Sequence, residues 1–226
     1  MKGVVSMKMT KKIFVALLAV CALLTFAACN NGNGDTSTVD SSVADESSTA
    51  TQESVAVSET VSEESVETVE YTKGAVSNNV YTNEWANMKF ELDSTTWKEG
   101  SASDYASYES ATTDCGLIAG LATEGRQLAI VFENNPKNDT TETYIANVKK
   151  GMLAIYSDYV FSESYKKTIA GKEYLCVDAT LTQNGVSIYQ AFFVTQHDGK
   201  FISLAATSIT GKEEITSVVE KITTVK

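Results

Sequence analysis

Residues 174–206 read YLCVDATLTQNGVSIYQAFFVTQHDGKFISLAA, and the turns inside this stretch decide the fold. Asn184-Gly185 is a strong two-residue hairpin signal, because both turn positions need positive φ and Asn and Gly tolerate it. A turn there pairs Leu181 with Ile188, Ala179 with Gln190, Val177 with Phe192 and Leu175 with Val194. Asp198-Gly199 makes the next turn and sets Val194 opposite Ser203 and Phe192 opposite Ala205. The other face of the same three strands then holds Tyr174, Cys176, Tyr189, Ala191, Phe193, Ile202, Leu204 and Ala206. Both faces are largely apolar. An antiparallel sheet with one wet face alternates more cleanly, so this sheet is expected to be covered on both sides.

The flanks supply the covers. Upstream, Asp139 and Glu142 have the spacing of a capping box, and Ile145, Val148, Met152, Ile155 and Tyr156 fall on one helical face with Lys149 and Lys150 on the other. Downstream, Thr210 and Glu213 repeat the device, followed by the stripe Ile215, Val218, Val219, Ile222 and Val225. Residues 117–122 and 127–133 form a hairpin turning through Glu124-Gly125. Met88, Phe90 and Leu92 alternate with polar residues as a half-buried strand, and 101–110 has room for a short helix. The fold class expected over 75–226 is a single α+β domain, an α/β/α sandwich around a largely antiparallel sheet.

The chain opens differently. Lys8, Lys11 and Lys12 precede an apolar stretch over 13–26, too short to span a bilayer comfortably. Ala27, Ala28 and Cys29 then make the small-small-Cys end of a lipobox, so residues 1–28 read as a lipoprotein signal peptide and Cys29 as the lipidated residue. From 30 to 72 the chain carries ten acids and no base. It has no aromatic before Tyr71 and no helical period, so 29–74 reads as a lipidated Cys followed by a disordered acidic linker. This segment holds most of the formal net charge of −11. The mildly acidic remainder has no Lys/Arg patch of the kind nucleic acid requires. Membrane attachment therefore falls to the lipid, which places the protein on the extracytoplasmic face of a bacterial cell membrane.

Motifs for chemistry are sparse. His197, the only histidine, sits beside a hairpin turn and reads as an exposed turn residue. With one histidine and two cysteines after Cys29, no His-based metal cluster is expected, and nothing calls for a cofactor. Cys115 and Cys176 either form a disulfide outside the cell or pack as thiols in the core. Gln190 is the one polar side chain on an otherwise apolar face, and it either lines a pocket or ties down a loop. Asp178 on the other face invites a nearby Lys or Tyr partner, or water at a sheet edge. Trp85, Trp97, Tyr105 and Tyr108 either make an aromatic surface or pack inside, with Trp97 expected inside.

The order of short motifs resembles a known group. Tyr81-Thr-Asn83, Phe90-Glu-Leu92, Trp97, Val131-Phe132-Glu133 and Tyr144-Ile145 form a first half. Ile169-Ala-Gly171, Tyr174, Val177, Gln190, Asp198-Gly199 and a terminal helix form the second. Across nearly all of 78–226 this is similar to small clostridial-type surface lipoproteins with a PsbP-like or DcrB-like domain, although Asp93 follows Leu92 where the group has Pro. The resemblance implies a sandwich fold without an assigned activity and, in some members, an accessory role on larger complexes. No functional residue is carried over. The expected function is a non-catalytic binding or accessory module for an unidentified protein or small ligand, and the alternative is an envelope hydrolase built on carboxylates.

Overall fold

Two short hairpin strands open the described part of the chain, β1 (Ala75–Ser77) and β2 (Val80–Asn83), followed by β3 (Met88–Glu91). The computed structural model describes residues 69–93, 95–121 and 124–226. The leader, Cys29 and the linker to residue 68 lie outside the described residues. After β3 come α1 (Ala102–Ala106), β4 (Thr113–Ala119), β5 (Arg126–Asn134) and α2 (Thr141–Ile155). Then follow β6 (Val160–Phe161), β7 (Tyr165–Ile169), β8 (Lys172–Gln183), β9 (Val186–His197), β10 (Lys200–Ser208), α3 (Lys212–Glu220) and β11 (Ile222–Thr223).

A seven-stranded antiparallel sheet runs β4-β5-β10-β9-β8-β6, with β7 also paired to β8. The meander has the register its turns predict. Leu181 faces Ile188, Ala179 faces Gln190 and Val177 faces Phe192, while Val194 faces Ser203 and Phe192 faces Ala205. Asn184, Gly185, Asp198 and Gly199 all adopt positive φ, the backbone those turns demand. β6 and β7 share one edge of β8. Between Phe161 and Tyr165 the edge gains one residue over the span Cys176 to Ala179, so it is kinked there.

Both faces of the large sheet are covered. One packs Val177, Ala179, Leu181, Ile188, Phe192 and Val194 under α2, whose buried residues are Tyr144, Ile145, Val148 and Met152. The other packs Tyr174, Cys176, Ala191, Phe193, Ile202 and Leu204 against α3 and a second, four-stranded sheet, β1-β2-β3-β11. The fold is α+β as expected, and its second cover is half helix and half sheet.

Several local expectations shift. Thr140, not Asp139, caps α2, its hydroxyl accepting from the Thr143 amide at 3.2 Å. Ile155 is exposed, because the helix ends there and Tyr156 turns to extended backbone. α3 starts at a Gly211 cap without a side-chain hydrogen bond, and Thr210 bonds Glu214 instead of joining Glu213 in a capping box. Its apolar stripe does not run on to Val225. The helix ends at Glu220, and Ile222 pairs with Phe90 as a strand.

The chain enters the domain along a fixed path. Tyr81 donates its hydroxyl to the Lys73 carbonyl at 2.8 Å, and Asn83 Nδ2 donates to the Thr72 carbonyl at 2.9 Å. Gly116 makes room for this crossing: a Cβ there would stand 2.7 Å from the Lys73 carbonyl oxygen and 2.5 Å from the Tyr81 hydroxyl.

Candidate functional site

Glu133 is the penultimate residue of β5 and stands in phase with Ala129 and Val131, so its side chain faces α2. It is 3% exposed. Tyr144, in the first turn of α2, donates its hydroxyl to Glu133 Oε1. Burial raises the Glu133 pKa to about 7, with the tyrosine hydrogen bond pulling the other way. The Tyr144 hydroxyl is pushed well above its ordinary value, first by burial and then by the neighbouring carboxyl. None of the ion pairs among the described residues includes Glu133.

The connection from β5 to α2 is held by one amide. Asn135 Nδ2 donates to the Asp139 carbonyl and its Oδ1 accepts from the Asp139 amide, both at 2.9 Å. Gln196 of β9 donates to the same carbonyl. These bonds set the start of α2 over the end of β5, and the Thr140 cap completes its first turn. A cleft of about 90 Å³ opens here, lined by Glu133, Lys137, Asp139, Tyr144, Asn147 and Phe201 among others. The Phe201 and Tyr144 rings lie 4.8 Å apart between centroids, tilted by 48°.

Other polar groups converge behind the carboxyl. Thr113 of β4 lies directly across the ladder from Glu133, and Phe201 of β10 flanks it on the other side. Ser203, two residues along β10, sits beside the Tyr144 hydroxyl. The Thr113 hydroxyl oxygen is buried and closes no hydrogen bond. Around the β9–β10 turn a wider hollow of about 330 Å³ adjoins the cleft through Asn135.

The residues singled out in the sequence fall elsewhere. Cys115 and Cys176 are not joined. Cys115 packs on the α2 face and Cys176 on the opposite face. β4 and β8 are four strand positions apart, roughly 19 Å at the usual spacing. A disulfide needs Cα atoms within about 7 Å, so the packed-thiol alternative is the one found. Burial is the main reason the Cys176 thiol pKa rises to about 12, which leaves it unreactive.

Gln190 is 1% exposed and donates to Thr207 Oγ1 at 3.3 Å across the β9–β10 ladder, rather than to a loop backbone. Its Oε1 has no partner. A second cleft touches Gln190 on the side of Ala191, Phe193 and Asp178. Strand alternation puts the Gln190 side chain on the other face, so this amide does not point into that cleft. Asp178 accepts from the Tyr165 hydroxyl at 2.9 Å, as its sequence position suggests.

His197 is half-buried. Its ring lies 4.6 Å from Trp85, and its Nε2 is 3.1 Å from the Trp85 carbonyl oxygen. Trp85 donates its indole N–H to Asp198 at 3.2 Å. Trp85, Trp97 and Tyr108 are buried, so the aromatic residues pack inside instead of forming a surface. Among the described residues, no three His, Cys, Asp or Glu side chains group as metal ligands, and no helix is long and apolar enough to cross a membrane.

In the sequence, Glu133 and Tyr144 stand out only as pieces of a strand and a helix. A signal was present. In QLAIVFE, Glu133 keeps the odd phase of Ala129 and Val131, which marks a carboxyl aimed at a covered face.

No protein-family model matches the chain, and no curated protein sequence matches it. Among solved structures, the chain is similar to the solution structure of cyanobacterial PsbP (CyanoP) from Synechocystis sp. PCC 6803. The identity is 16% and the TM-score 0.45, over 64% of this chain and 91% of that one. It is also similar to the crystal structure of LpqN, involved in cell envelope biogenesis of Mycobacterium tuberculosis. There the identity is 13% and the TM-score 0.38, over 60% of this chain and 82% of that one.

Proposed function

We propose that this chain is a lipid-anchored bacterial surface protein with one PsbP-like domain that acts as a non-catalytic binding or accessory module, its ligand seated at the Glu133 cleft. The anchor rests on the lipobox ending at Cys29, and the PsbP-like reading on the order of motifs along 78–226. One observation carries the binding site. A carboxyl buried without a cation opens onto a cleft whose walls are already fixed by loop hydrogen bonds and a helix cap. Pre-organised polar groups in a concavity are what a binding site requires.

Two measurements on the full chain test this. Cys29→Ala, expressed in a lipoprotein-processing bacterium, moves the protein from the membrane fraction to the soluble one, and retention at the membrane overturns the anchor. Native and denaturing mass spectra of the purified chain then reveal any co-purified small ligand, as mass present only in the native spectrum.

A second reading has an observation of its own. Glu133 and Asp139 both line the cleft, and a carboxyl pKa near 7 suits a general acid. Release of soluble fragments from cell-wall material by the full chain, lost in Glu133→Gln, selects this hydrolase reading. Equal release by both proteins removes Glu133 from it.

A further inference from the structure

We propose that the Glu133 cleft is a receptor for a primary alkylammonium group, of the kind that ends a lysine side chain, with Glu133 as counter-ion and the Tyr144 and Phe201 rings as walls. This rests on the binding-module reading above and names its ligand class.

The polar groups at the cleft are already sorted into used and open ones. Asn135 is committed to Asp139 through both ends of its amide. Asn134 Oδ1 accepts from Lys200 Nζ at 2.6 Å. What remains open is two carboxyls, with the Asn147 amide and the Lys137 ammonium at the rim. Glu133 has one oxygen taken by Tyr144, and no hydrogen bond among the described residues reaches the Asp139 carboxylate, whose backbone alone is bonded by Asn135. An anionic ligand would meet two carboxyls against the single Lys137 ammonium. A neutral polyol would find the Asn135 amide occupied. An ammonium offers three donors and a charge, and the Tyr144 and Phe201 rings lining the cleft can add a cation–π attraction.

Among the described residues, no cation pairs with Glu133. Lys200 is held by Asn134, lies 3.9 Å above the Tyr71 ring and 4.0 Å from Asp114. Lys137, on the rim, joins no ion pair. A carboxylate buried alone is destabilised by the loss of its hydration, so an incoming cation gains by neutralising it. The cleft of about 90 Å³ admits the end of a slender chain rather than a bulky ring. From residue 73 on, the chain carries 19 acids against 14 bases, a balance that favours approach of a cationic partner.

Proton and ammonium compete for the same carboxyl. The groups facing Glu133 are Tyr144 from α2, Lys137 and Asp139 from the loop, Thr113 from β4, and Phe201 and Ser203 from β10. Ionised Glu133 is the binding form, and an alkylammonium keeps its charge up to about pH 10. With the Glu133 pKa at about 7, affinity rises on the order of 90-fold from pH 5 to pH 8.

The test is an NMR titration of the ¹³C,¹⁵N-labelled full chain with n-butylammonium, with Nα-acetyl-lysine amide, and with n-butanol as the neutral isostere, at constant ionic strength. Both ammonium probes should shift the Glu133 carboxyl carbon and the amides of 133–147, and butanol should not. Affinity should rise steeply from pH 5 to pH 8. Glu133→Gln keeps an acceptor for Tyr144, and should retain the spectrum of the fold while losing at least tenfold in affinity. Tighter binding of Nα-acetyl-lysine amide than of butylammonium assigns the site to lysine within a peptide, and the reverse order assigns it to free alkylamines. Affinity that stays within twofold across that pH range, or in Glu133→Gln, overturns the counter-ion. If butanol moves the same resonances as well as the ammonium does, the cationic class falls while the binding module stands. If no probe moves them but a co-purified ligand appears in the native mass spectrum, the alkylammonium assignment falls alone. If neither occurs, both readings fall.

Discussion

The two faces of the large sheet are built from the same three central strands and differ sharply in chemistry. The face toward α3 and the small sheet is largely apolar through Leu128, Ile130, Phe132, Tyr174, Phe193, Ile202 and Leu204. Its buried polar groups are Ser208, at its end and bonded to Glu214, and the Tyr174 hydroxyl. The face toward α2 carries six buried polar residues, Thr113, Gln127, Glu133, Gln190, Ser203 and Thr207, interleaved with its apolar ones. Burying a polar group without a full set of hydrogen bonds costs stability. One face therefore holds the fold together, and the other gives up stability where the open cleft lies.

The largest effect expected from breaking this comparison is on the apolar face. Phe193→Ala should lose about 3–5 kcal/mol, as a buried aromatic truncated in a packed layer does, read from urea unfolding at constant m. A loss under about 1 kcal/mol would mean that this layer is not the stabilising one.

On the polar face the sign should reverse. The Glu133 pKa is about 7 in the fold against 4.5 unperturbed, so between these values the native state binds the extra proton. Its contribution is fully present below about pH 4.5 and is lost as pH rises through about 7, a change of about 3 kcal/mol. Glu133→Gln should therefore be close to neutral at pH 4.5, more stable than the parent by up to about 3 kcal/mol at pH 8, and flat in between. Parallel stability–pH curves for the two proteins would refute the assignment.

Thr140→Ala removes the α2 cap and should cost about 1 kcal/mol, with faster amide exchange at 141–144 as the local signature. Smallest of all, Thr113→Val replaces a buried hydroxyl that makes no hydrogen bond with a methyl group, and should fall within about 0.5 kcal/mol of the parent or slightly above it. A loss beyond about 1.5 kcal/mol would show that Thr113 is bonded in solution.

The meander was legible because turn chemistry and period agree over three long strands. Asn184-Gly185 and Asp198-Gly199 set the register, and an even-odd pattern cannot slip by one residue without turning both apolar faces over. The short elements were not legible. β6, β7 and β11 span two, five and two residues, and the spacing of Ile222 after Val218 and Val219 suits another helical turn as well as a strand. The cysteines show a different limit. Each lies in a strand, but neither the number of strands between them nor the face each occupies is written locally. Glu133 was hidden because 128–132 is apolar on both faces, so the period that marks an inward residue is muted where the carboxyl enters.

The kinked edge of the sheet bears on behaviour at high density. If the domain is tethered to a surface as proposed, neighbours share a thin layer and meet edge to edge far more often than in free solution. Open strands in such a layer invite sheet-to-sheet polymerisation. At one edge the β6–β7 strand is broken by its extra residue and carries an exposed Lys166. At the other, the flank of β4 is occupied, Gly100 donating to the Ile118 carbonyl at 2.9 Å and Gly120 to the Lys98 carbonyl at 2.8 Å. With neither edge offering a long flat ladder, the domain is suited to crowding on a cell surface without seeding fibres.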